Sequence, residues 1–412
     1  MIRSFSRLFV LLAALLPSGG YAQAATVVST QDFHIAYPGA CANRAALAAH
    51  DAEHGPAGAA GSTHEITPEI TASGKPGNAL WITGQNYDSV ARITTGGNVQ
   101  VHHLPRRDRV TCLGPHGIEF DRSGKLWVTF EFAGEIAQLD AAGNIAKTFD
   151  VRYYCADCAG ASRSNPRFWI NPHPHGMTVA HDGKTIWYTG KATGSIGKIT
   201  LASGKMETFA LPTLGGVPIY IKEDPRGVMW VTELVGNKIA RITPSGGVAE
   251  FTIPTPNSRP IAIVPGPDGK AMWFSEEAGS KIGRIDPNGS ITEFDVPVPV
   301  PSVGARYVLA GLAFDGNGNL WVQQYADPNG PSAGPVTSPC STICDYVVEI
   351  DKAILTAPSG TQLTLNRYLV PTQGTVMHRI IKGPDGNMWY TELKTNNAGK
   401  VTFRPGKARA AH

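Results

Sequence analysis

The stretch RPIAIVPGPDGKAMWFSEEAGSKIGRIDPNGSITEFDVP, residues 259–297, contains four short apolar segments separated by turn sequences. The first two segments, Pro260–Val264 and Met272–Glu276, flank a Gly-Pro-Asp-Gly turn. The third, Lys281–Asp286, is joined through Pro-Asn-Gly to the fourth, Ile291–Pro297. Turn residues of these types tolerate positive φ or preset φ, and the fourth segment alternates with the period of a half-exposed strand. The stretch therefore predicts a unit of four antiparallel strands.

The second segment of this unit recurs along the chain, each time around a Trp. Seven of the eight tryptophans follow this pattern, with spacings of 46, 60, 43, 43, 48 and 68 residues: Trp81, Trp127, Trp187, Trp230, Trp273, Trp321 and Trp389. A repeat of about 40–50 residues built from short strands is typical of a β-propeller, with one four-stranded blade per repeat. We therefore predict an all-β, seven-bladed β-propeller over residues 63–405.

The last repeat ends after its third strand, near Thr402, so its fourth strand must come from elsewhere. Asp32–Pro38 has the same pattern of residues as Thr292–Pro297. We expect residues 32–38, within an N-terminal segment 25–62, to pair with the last blade and close the ring. Closure would cover two sheet edges that otherwise invite aggregation.

The first 24 residues predict a secretory signal peptide. Arg3 and Arg7 precede a short apolar core, Leu8–Leu16, and Ala22-Gln23-Ala24 fits a cleavage site. That core is too short to span a bilayer, and an uncleaved anchor is the alternative. We expect a secreted or periplasmic monomer with no membrane span. Because the net charge is only +3 and no long basic run occurs, nucleic acid is not the expected partner.

Six cysteines predict three disulfides in an exported protein. Cys155 and Cys158 form one close pair, Cys340 and Cys344 form another, and Cys41 and Cys112 remain. A zinc site built from four of the cysteines is the alternative, which export to an oxidising compartment disfavours.

Aligning the repeats on their tryptophans brings polar residues to the start of the inner strands. The residue eleven or twelve positions before each Trp is Glu69, His116, His175, Ile219, Ile261, Ala310 and His378. These residues are expected to line one mouth of the central channel, with a polar half contributed by four consecutive blades. A lone His on a strand is usually structural, but the Pro-His-Gly context of His116 recurs at His175. We therefore interpret His116, His175 and His378 as candidate catalytic residues.

Carboxylates are expected beside these imidazoles. Glu131 and Glu392 follow the second strands of the blades that carry His116 and His378, whereas Glu233 and Glu276 are interpreted as structural. Oxygen ligands favour a hard cation, so Glu131, with Glu69 or Glu392, is predicted to bind a divalent cation, magnesium, with calcium as the alternative.

The repeat resembles the streptogramin B lyase (virginiamycin B lyase) family of seven-bladed propellers. The segments that carry the resemblance to the blades of this family are Gly266–Gly269, Trp230–Glu233, Lys281–Ile285 and Ile291–Phe294. The family's catalytic signature is Pro-His-small-Ile on two neighbouring blades, with a Glu shortly after a blade Trp and magnesium bound.

Two blades of this chain match that signature in part. Pro115–Ile118 followed by Trp127–Glu131 matches one blade well, and Pro174–Met177 resembles the other. The second blade lacks the Glu, and residue 114 is Gly where the family carries an acidic residue. Glu69 is a candidate for the missing carboxylate.

The resemblance implies a lyase that catalyses β-elimination, with His175 or His116 removing a proton α to a carbonyl. The substrate would be a depsipeptide, or a uronate-type oligosaccharide on which the same chemistry operates. A metal-dependent lactonase of the gluconolactonase type and a ligand-binding propeller without catalysis are the alternatives.

Overall fold

The computed structural model describes residues 27–38, 41, 62–105, 112–156, 162–165, 168–299, 306–326 and 344–403. The predicted fold is confirmed: seven four-stranded antiparallel sheets form the blades of a propeller. The predicted signal peptide, as well as Cys158 and Cys340, lies outside the described residues. Within them, no helix is long and apolar enough to cross a membrane.

In blades 1 to 6 the strands follow one another in sequence from the channel outward, and blade 7 takes its fourth strand from the N-terminal segment. Blade 1 comprises β2 (Thr63–Ile70), β3 (Pro76–Gly84), β4 (Ser89–Thr94) and β5 (Val99–His103); blade 2 comprises β6 (Pro115–Phe120), β7 (Leu126–Phe130), β8 (Glu135–Leu139) and β9 (Ile145–Asp150). Blade 3 comprises β12 (Pro174–Val179), β13 (Thr185–Gly190), β14 (Ser195–Thr200) and β15 (Lys205–Ala210), preceded by a small hairpin of β10 (Tyr153–Tyr154) and β11 (Trp169–Ile170).

The remaining blades repeat this order. Blade 4 comprises β16 (Pro218–Glu223), β17 (Met229–Glu233), β18 (Lys238–Ile242) and β19 (Val248–Thr252); blade 5 comprises β20 (Pro260–Pro265), β21 (Met272–Glu276), β22 (Lys281–Ile285) and β23 (Ile291–Asp295). Blade 6 comprises β24 (Tyr307–Phe314), β25 (Leu320–Ala326), β26 (Tyr346–Ile350) and β27 (Leu365–Leu369); blade 7 comprises β28 (Met377–Lys382), β29 (Met388–Glu392), β30 (Asn397–Phe403) and the N-terminal β1 (Val27–His34). Among the described residues, the 3₁₀ helices Gln85–Tyr87 and Lys352–Thr356 lie in connections.

An N-terminal strand closes the ring, as predicted, although its bounds differ from the expected 32–38. Strand β1 pairs antiparallel with β30, with Val27 opposite Phe403 and His34 opposite Asn397. The Phe33 ring stacks on Trp389 at 5.4 Å, as Phe294 stacks on Trp273 at 5.9 Å in blade 5. Phe33 thus occupies the place of the fourth-strand aromatic residue in blade 7.

In five of the seven blades, the second-strand Thr that lies two residues after the Trp joins the blade to the next one. The Thr129 hydroxyl donates to the carbonyl of His175 at 2.9 Å, and the Thr83 hydroxyl donates to the carbonyl of His116 at 2.8 Å. The Thr391 hydroxyl donates to the carbonyl of His64 at 2.7 Å, across the point where the ring closes. These bonds hold the starts of neighbouring inner strands together around the channel.

Candidate functional site

The inner strands share an irregularity at the channel mouth. In blade 2, Pro115 pairs with Phe130 and Ile118 with Val128, so the register shifts across the two residues between Pro115 and Ile118. The other six inner strands shift register at the same place. A bulge re-aims the side chain it contains. The first bulge residues of the seven blades form a ring, here called the hub ring: His64, His116, His175, Ile219, Ile261, Ala310 and His378.

The hub ring corrects the prediction for blade 1. In that blade Thr63 takes the place of Pro115, because it pairs with the last residue of the second strand, Gly84. His64 therefore belongs to the ring where Glu69 was expected. The sequence alignment missed His64 because the first hairpin of blade 1 is longer, which places this His farther ahead of its Trp than in the other blades.

Glu69 lies instead near the opposite end of β2. Its carboxylate accepts a hydrogen bond from Arg92 Nε at 2.8 Å and another from the Trp81 indole at 3.3 Å. In blade 2 the indole N–H of Trp127 donates a corresponding hydrogen bond to the Asp121 carboxylate at 3.1 Å. Glu69 thus anchors a blade Trp and does not reach the mouth lined by histidines.

The four imidazoles of the hub ring are brought together, and three of them are the predicted His116, His175 and His378. The His116 and His175 ring centroids are 3.6 Å apart, and His64 lies 4.9 Å from His116 and 5.0 Å from His378. All four side chains are buried. Burial, followed by the charges of His175, His64 and His378, lowers the pKa of His116 well below its usual value. His116 is therefore a neutral imidazole near pH 7.

The tautomer of His175 follows from its backbone contact. Its Nδ1 lies 2.9 Å from the carbonyl oxygen of Ile219, and a carbonyl can only accept a hydrogen bond. Nδ1 therefore carries the hydrogen, and Nε2 holds the lone pair of the neutral ring. A His oriented in this way is suited to accept a proton at Nε2.

Glu131 lies beside this pair, as predicted. It directly follows β7, it is buried, and one carboxylate oxygen and one ring nitrogen each of His116 and His175 all lie within 4.8 Å of one another. The Lys191 ammonium donates to Glu131 Oε1 at 3.1 Å, and the Gln85 amide donates to Oε2 at 2.7 Å. Sequence analysis did not select Lys191 or Gln85, although both occupy the position of Glu131 in neighbouring blades.

Glu392 does not occupy the equivalent position. It pairs with Met377, so it corresponds to Phe130, and the residue of blade 7 that corresponds to Glu131 is Leu393. Successive residues of a strand point to opposite faces, so an offset of one residue turns the side chain away. Glu392 accepts hydrogen bonds from Thr395 at 2.8 Å and from Asn397 at 2.9 Å, and burial, together with the charge of Asp32, raises its pKa well above the usual value.

The residues predicted to hold magnesium therefore do not fit that ion. Of Glu131, Glu69 and Glu392, only Glu131 lies with the imidazoles, and its two oxygens are already bonded to Lys191 and Gln85. Mg²⁺ requires a nearly octahedral set of oxygen ligands, whereas most side chains at this mouth offer nitrogen.

A disulfide and a buried carboxylate hold the segment before His116. Cys41 is bonded to Cys112, the two cysteines that remained after the close pairs in the sequence. Cys155 and Cys344 are also disulfide-bonded. The Asp88 carboxylate accepts hydrogen bonds from the backbone N–H groups of Leu113 at 2.8 Å and Gly114 at 3.1 Å. These contacts hold the segment that directly precedes His116, the hub-ring residue of blade 2.

Comparisons with known proteins agree with the fold and with the resemblance. The model of the virginiamycin B lyase family matches residues 156–330. A virginiamycin B lyase from Nocardia farcinica (strain IFM 10152) is 27% identical over 193 residues, which are 47% of this chain and 58% of that protein. The match thus spans little more than half of that relative's length. His175 lies within the matched range of the family model, whereas His64, His116, Glu131 and His378 lie outside it.

Solved structures resemble the whole propeller. A streptogramin B lyase structure has a TM-score of 0.64 and 23% identity, and the alignment covers 91% of this chain and 98% of that one. A catalytically inactive variant of virginiamycin B lyase from Staphylococcus aureus, with quinupristin, has a TM-score of 0.63 and 24% identity, covering 91% and 99%. At this level of identity the likeness supports the fold alone. Together with the family match, it shows that the chain resembles the virginiamycin B lyase family.

Proposed function

We propose that this chain, which resembles the virginiamycin B lyases, is an exported monomeric lyase that cleaves a carbon–oxygen bond by β-elimination. The observation that carries the proposal is the buried pair of imidazoles, His116 and His175, 3.6 Å apart and beside Glu131 and Lys191 at one mouth of the channel. Disulfide-bonded cysteines at Cys41 and Cys112 are compatible with export.

His175 is the proposed base. Its Nε2 lone pair removes the proton on the carbon α to a carbonyl, and the electron pair of that C–H bond forms the new double bond as the β carbon–oxygen bond breaks. The Ile219 carbonyl, bonded to Nδ1–H, holds the ring in the tautomer this step needs and favours the imidazolium that forms. His116, whose pKa is lowered by burial, packs against this ring at 3.6 Å between centroids.

Lys191 is the proposed electrophile. Negative charge develops on the carbonyl oxygen as the α-proton leaves, and a fixed, partly buried cation stabilises that charge. Glu131 holds the Lys191 ammonium at 3.1 Å and is itself held by Gln85. Because the magnesium ion implied by the resemblance does not fit the residues present, no step is assigned to it.

The apolar residues at the mouth favour a depsipeptide as the proposed substrate. Opposite the histidines, the hub ring continues as Ile219, Ile261 and Ala310, and Leu234 and Tyr325 extend this apolar wall. The nearby Arg259 is already paired with Glu277, with Nε 2.6 Å from Oε2. An apolar wall beside a few polar groups suits a cyclic peptide with apolar side chains.

The test is product analysis with the untagged full chain and quinupristin as the substrate. Elimination opens an ester-closed ring without change of mass and creates a double bond, seen as new ultraviolet absorbance. Hydrolysis, the lactonase alternative, adds the mass of one water. We expect the product of elimination, and we expect His175→Ala to lower kcat/KM by about 10²–10⁴.

His181→Ala is the matched control, because that His lies at the opposite end of the blade 3 inner strand and contacts Glu223. We expect it to react at the wild-type rate. A hydrated product, or wild-type turnover by His175→Ala, would refute the proposed reaction.

A further inference from the structure

Three of the hub histidines surround a common point. The ring centroids of His64, His116 and His378 form a triangle with sides of 4.9, 5.0 and 5.5 Å. One ring nitrogen from each can be chosen so that all three lie within 4.8 Å of one another. The three residues come from blades 7, 1 and 2, which are adjacent once the ring is closed.

This triangle has the size of a three-histidine metal centre. A zinc-class ion binds imidazole nitrogen at about 2.0–2.1 Å, which places the centres of tetrahedrally bound rings about 5 Å apart. The nitrogens would then approach to roughly 3.4 Å, which small rotations of the side chains provide. The backbone therefore already holds the three rings where an ion would need them.

Two of these rings have a backbone carbonyl or a carboxylate near Nδ1, the kinds of group that orient metal-binding histidines. His64 Nδ1 lies 2.9 Å from the backbone carbonyl of Ser62, so Nδ1 carries the hydrogen and Nε2 the lone pair. His378 Nδ1 lies 3.5 Å from a carboxylate oxygen of Glu65. Histidines that bind metals typically donate their other ring N–H to a backbone carbonyl or a carboxylate, which fixes the tautomer.

His116 gives independent support. Its side chain is 1% exposed, and neither ring nitrogen has a hydrogen-bond partner among the described residues. A buried polar group without a partner destabilises the fold and calls for an explanation. A metal ion bound to one of its nitrogens supplies one.

We propose that His64, His116 and His378 bind one transition-metal ion of the zinc class, leaving a coordination position open toward the channel mouth. Three imidazole ligands with an open fourth position are the arrangement of zinc sites that bind water or substrate. Nitrogen donors select zinc, cobalt or copper over magnesium and calcium. This inference goes beyond the proposed lyase reaction and does not require it, since His175 is not among the ligands.

The experiment measures metal directly. The full chain is produced without a polyhistidine tag, its metal content is determined by mass spectrometry, and the chelator-treated protein is titrated with Zn²⁺ and separately with Co²⁺. We expect one equivalent of Zn²⁺ per chain, a higher Tm on binding, and visible absorption bands of tetrahedral Co²⁺. Mg²⁺ at the same concentration is expected to leave the Tm unchanged.

Variants separate this site from the proposed reaction. Loss of a hydrogen-bond partner behind a metal ligand weakens metal binding by up to about 100-fold. Because loss of the ligand itself costs more, His64→Ala and His378→Gln are each expected to weaken Zn²⁺ binding by more than about 100-fold. His181→Ala should bind as wild type does, and His175→Ala should keep the ion while losing turnover. Circular dichroism identifies any variant that fails to fold, and the wild-type titration decides the question without variants. Failure of the wild type to bind one equivalent of either ion, or wild-type affinity in a folded His64→Ala chain, overturns the inference.

Discussion

At the scale of single residues, the glycines after the hub histidines explain the Pro-His-Gly pattern. A Cβ on Gly117 would meet the backbone oxygen of His175 at 2.6 Å, and one on Gly176 would meet that of Ile219 at 2.4 Å. The next blade's backbone thus lies directly against these positions. The pattern reflects a packing constraint that also places each His at the mouth.

The corresponding residues of blades 1 and 7 are charged, and they pair inside the channel. Arg379 Nε donates to Glu65 Oε2 at 2.7 Å, and the Arg379 guanidinium lies 3.9 Å from the Tyr220 ring centroid. The exposed fractions of the two paired side chains are 3% and 6%. A pair this deeply buried leaves a costly unpaired charge when one partner is removed.

We therefore expect Glu65→Leu to lower the free energy of unfolding by about 3–5 kcal/mol. Chemical denaturation measures the change. The double variant Glu65→Leu/Arg379→Leu is the control and should lose less, because no buried charge remains. A single variant that unfolds within about 1 kcal/mol of wild type would show that the pair is not a stability determinant.

At the scale of the strand, β17, β21 and β29 each end in a Glu at the same register position. All three of these side chains are buried: Glu233, Glu276 and Glu392. Burial, then the nearby charge of Glu250, raises the pKa of Glu233 to about 8, and burial with Glu293 raises that of Glu276 to about 8. With pKa values of about 8, the Glu233 and Glu276 carboxyls are mostly protonated at neutral pH.

A raised pKa makes stability depend on pH in a definite direction. Between the ordinary pKa of a Glu and about 8, the folded state binds more protons than the unfolded state, so stability is fully present at low pH and falls as pH rises through 8. Glu276→Gln keeps the shape of the protonated acid and removes the titration. Between pH 5 and pH 8 we expect the wild type to lose more unfolding free energy than Glu276→Gln does, by on the order of 1–4 kcal/mol.

Thermal melts of wild type and Glu276→Gln across that pH range test the expectation. Glu277→Gln is the control at the adjacent, half-buried position, where Glu277 is paired with Arg259. Parallel pH curves for wild type and Glu276→Gln would contradict the raised pKa.

At the scale of the whole molecule, the N-terminal segment both closes the ring and reaches the site. Strand β1 completes blade 7, and the backbone N–H of Cys41 donates to the carbonyl of Asn86 at 2.7 Å. The disulfide then joins Cys41 to Cys112, 71 residues away and four residues before His116. The segment that closes the propeller is therefore covalently linked to the segment that precedes His116.

Replacing this disulfide by Cys41→Ser/Cys112→Ser is expected to lower the free energy of unfolding by about 2–4 kcal/mol, since it releases a long loop in the unfolded chain. Chemical denaturation gives the value, and turnover in the proposed elimination reports on the mouth. Because Asp88 still holds Leu113 and Gly114, we expect activity to fall less than stability does. Stability within about 0.5 kcal/mol of wild type would show that strand pairing alone closes the ring.

The sequence by itself determined the number of blades, their strand pattern, closure of the ring and three of the four hub histidines. These features depend on local periodicity and on aromatic residues, such as Phe33 and Trp389, that recur in register. Only the tertiary structure decided that His64, and not Glu69, completes the ring, because a longer hairpin shifts the count from the Trp. It also decided that Glu131 faces the histidines while Glu392 does not, because one residue along a strand reverses the direction of a side chain.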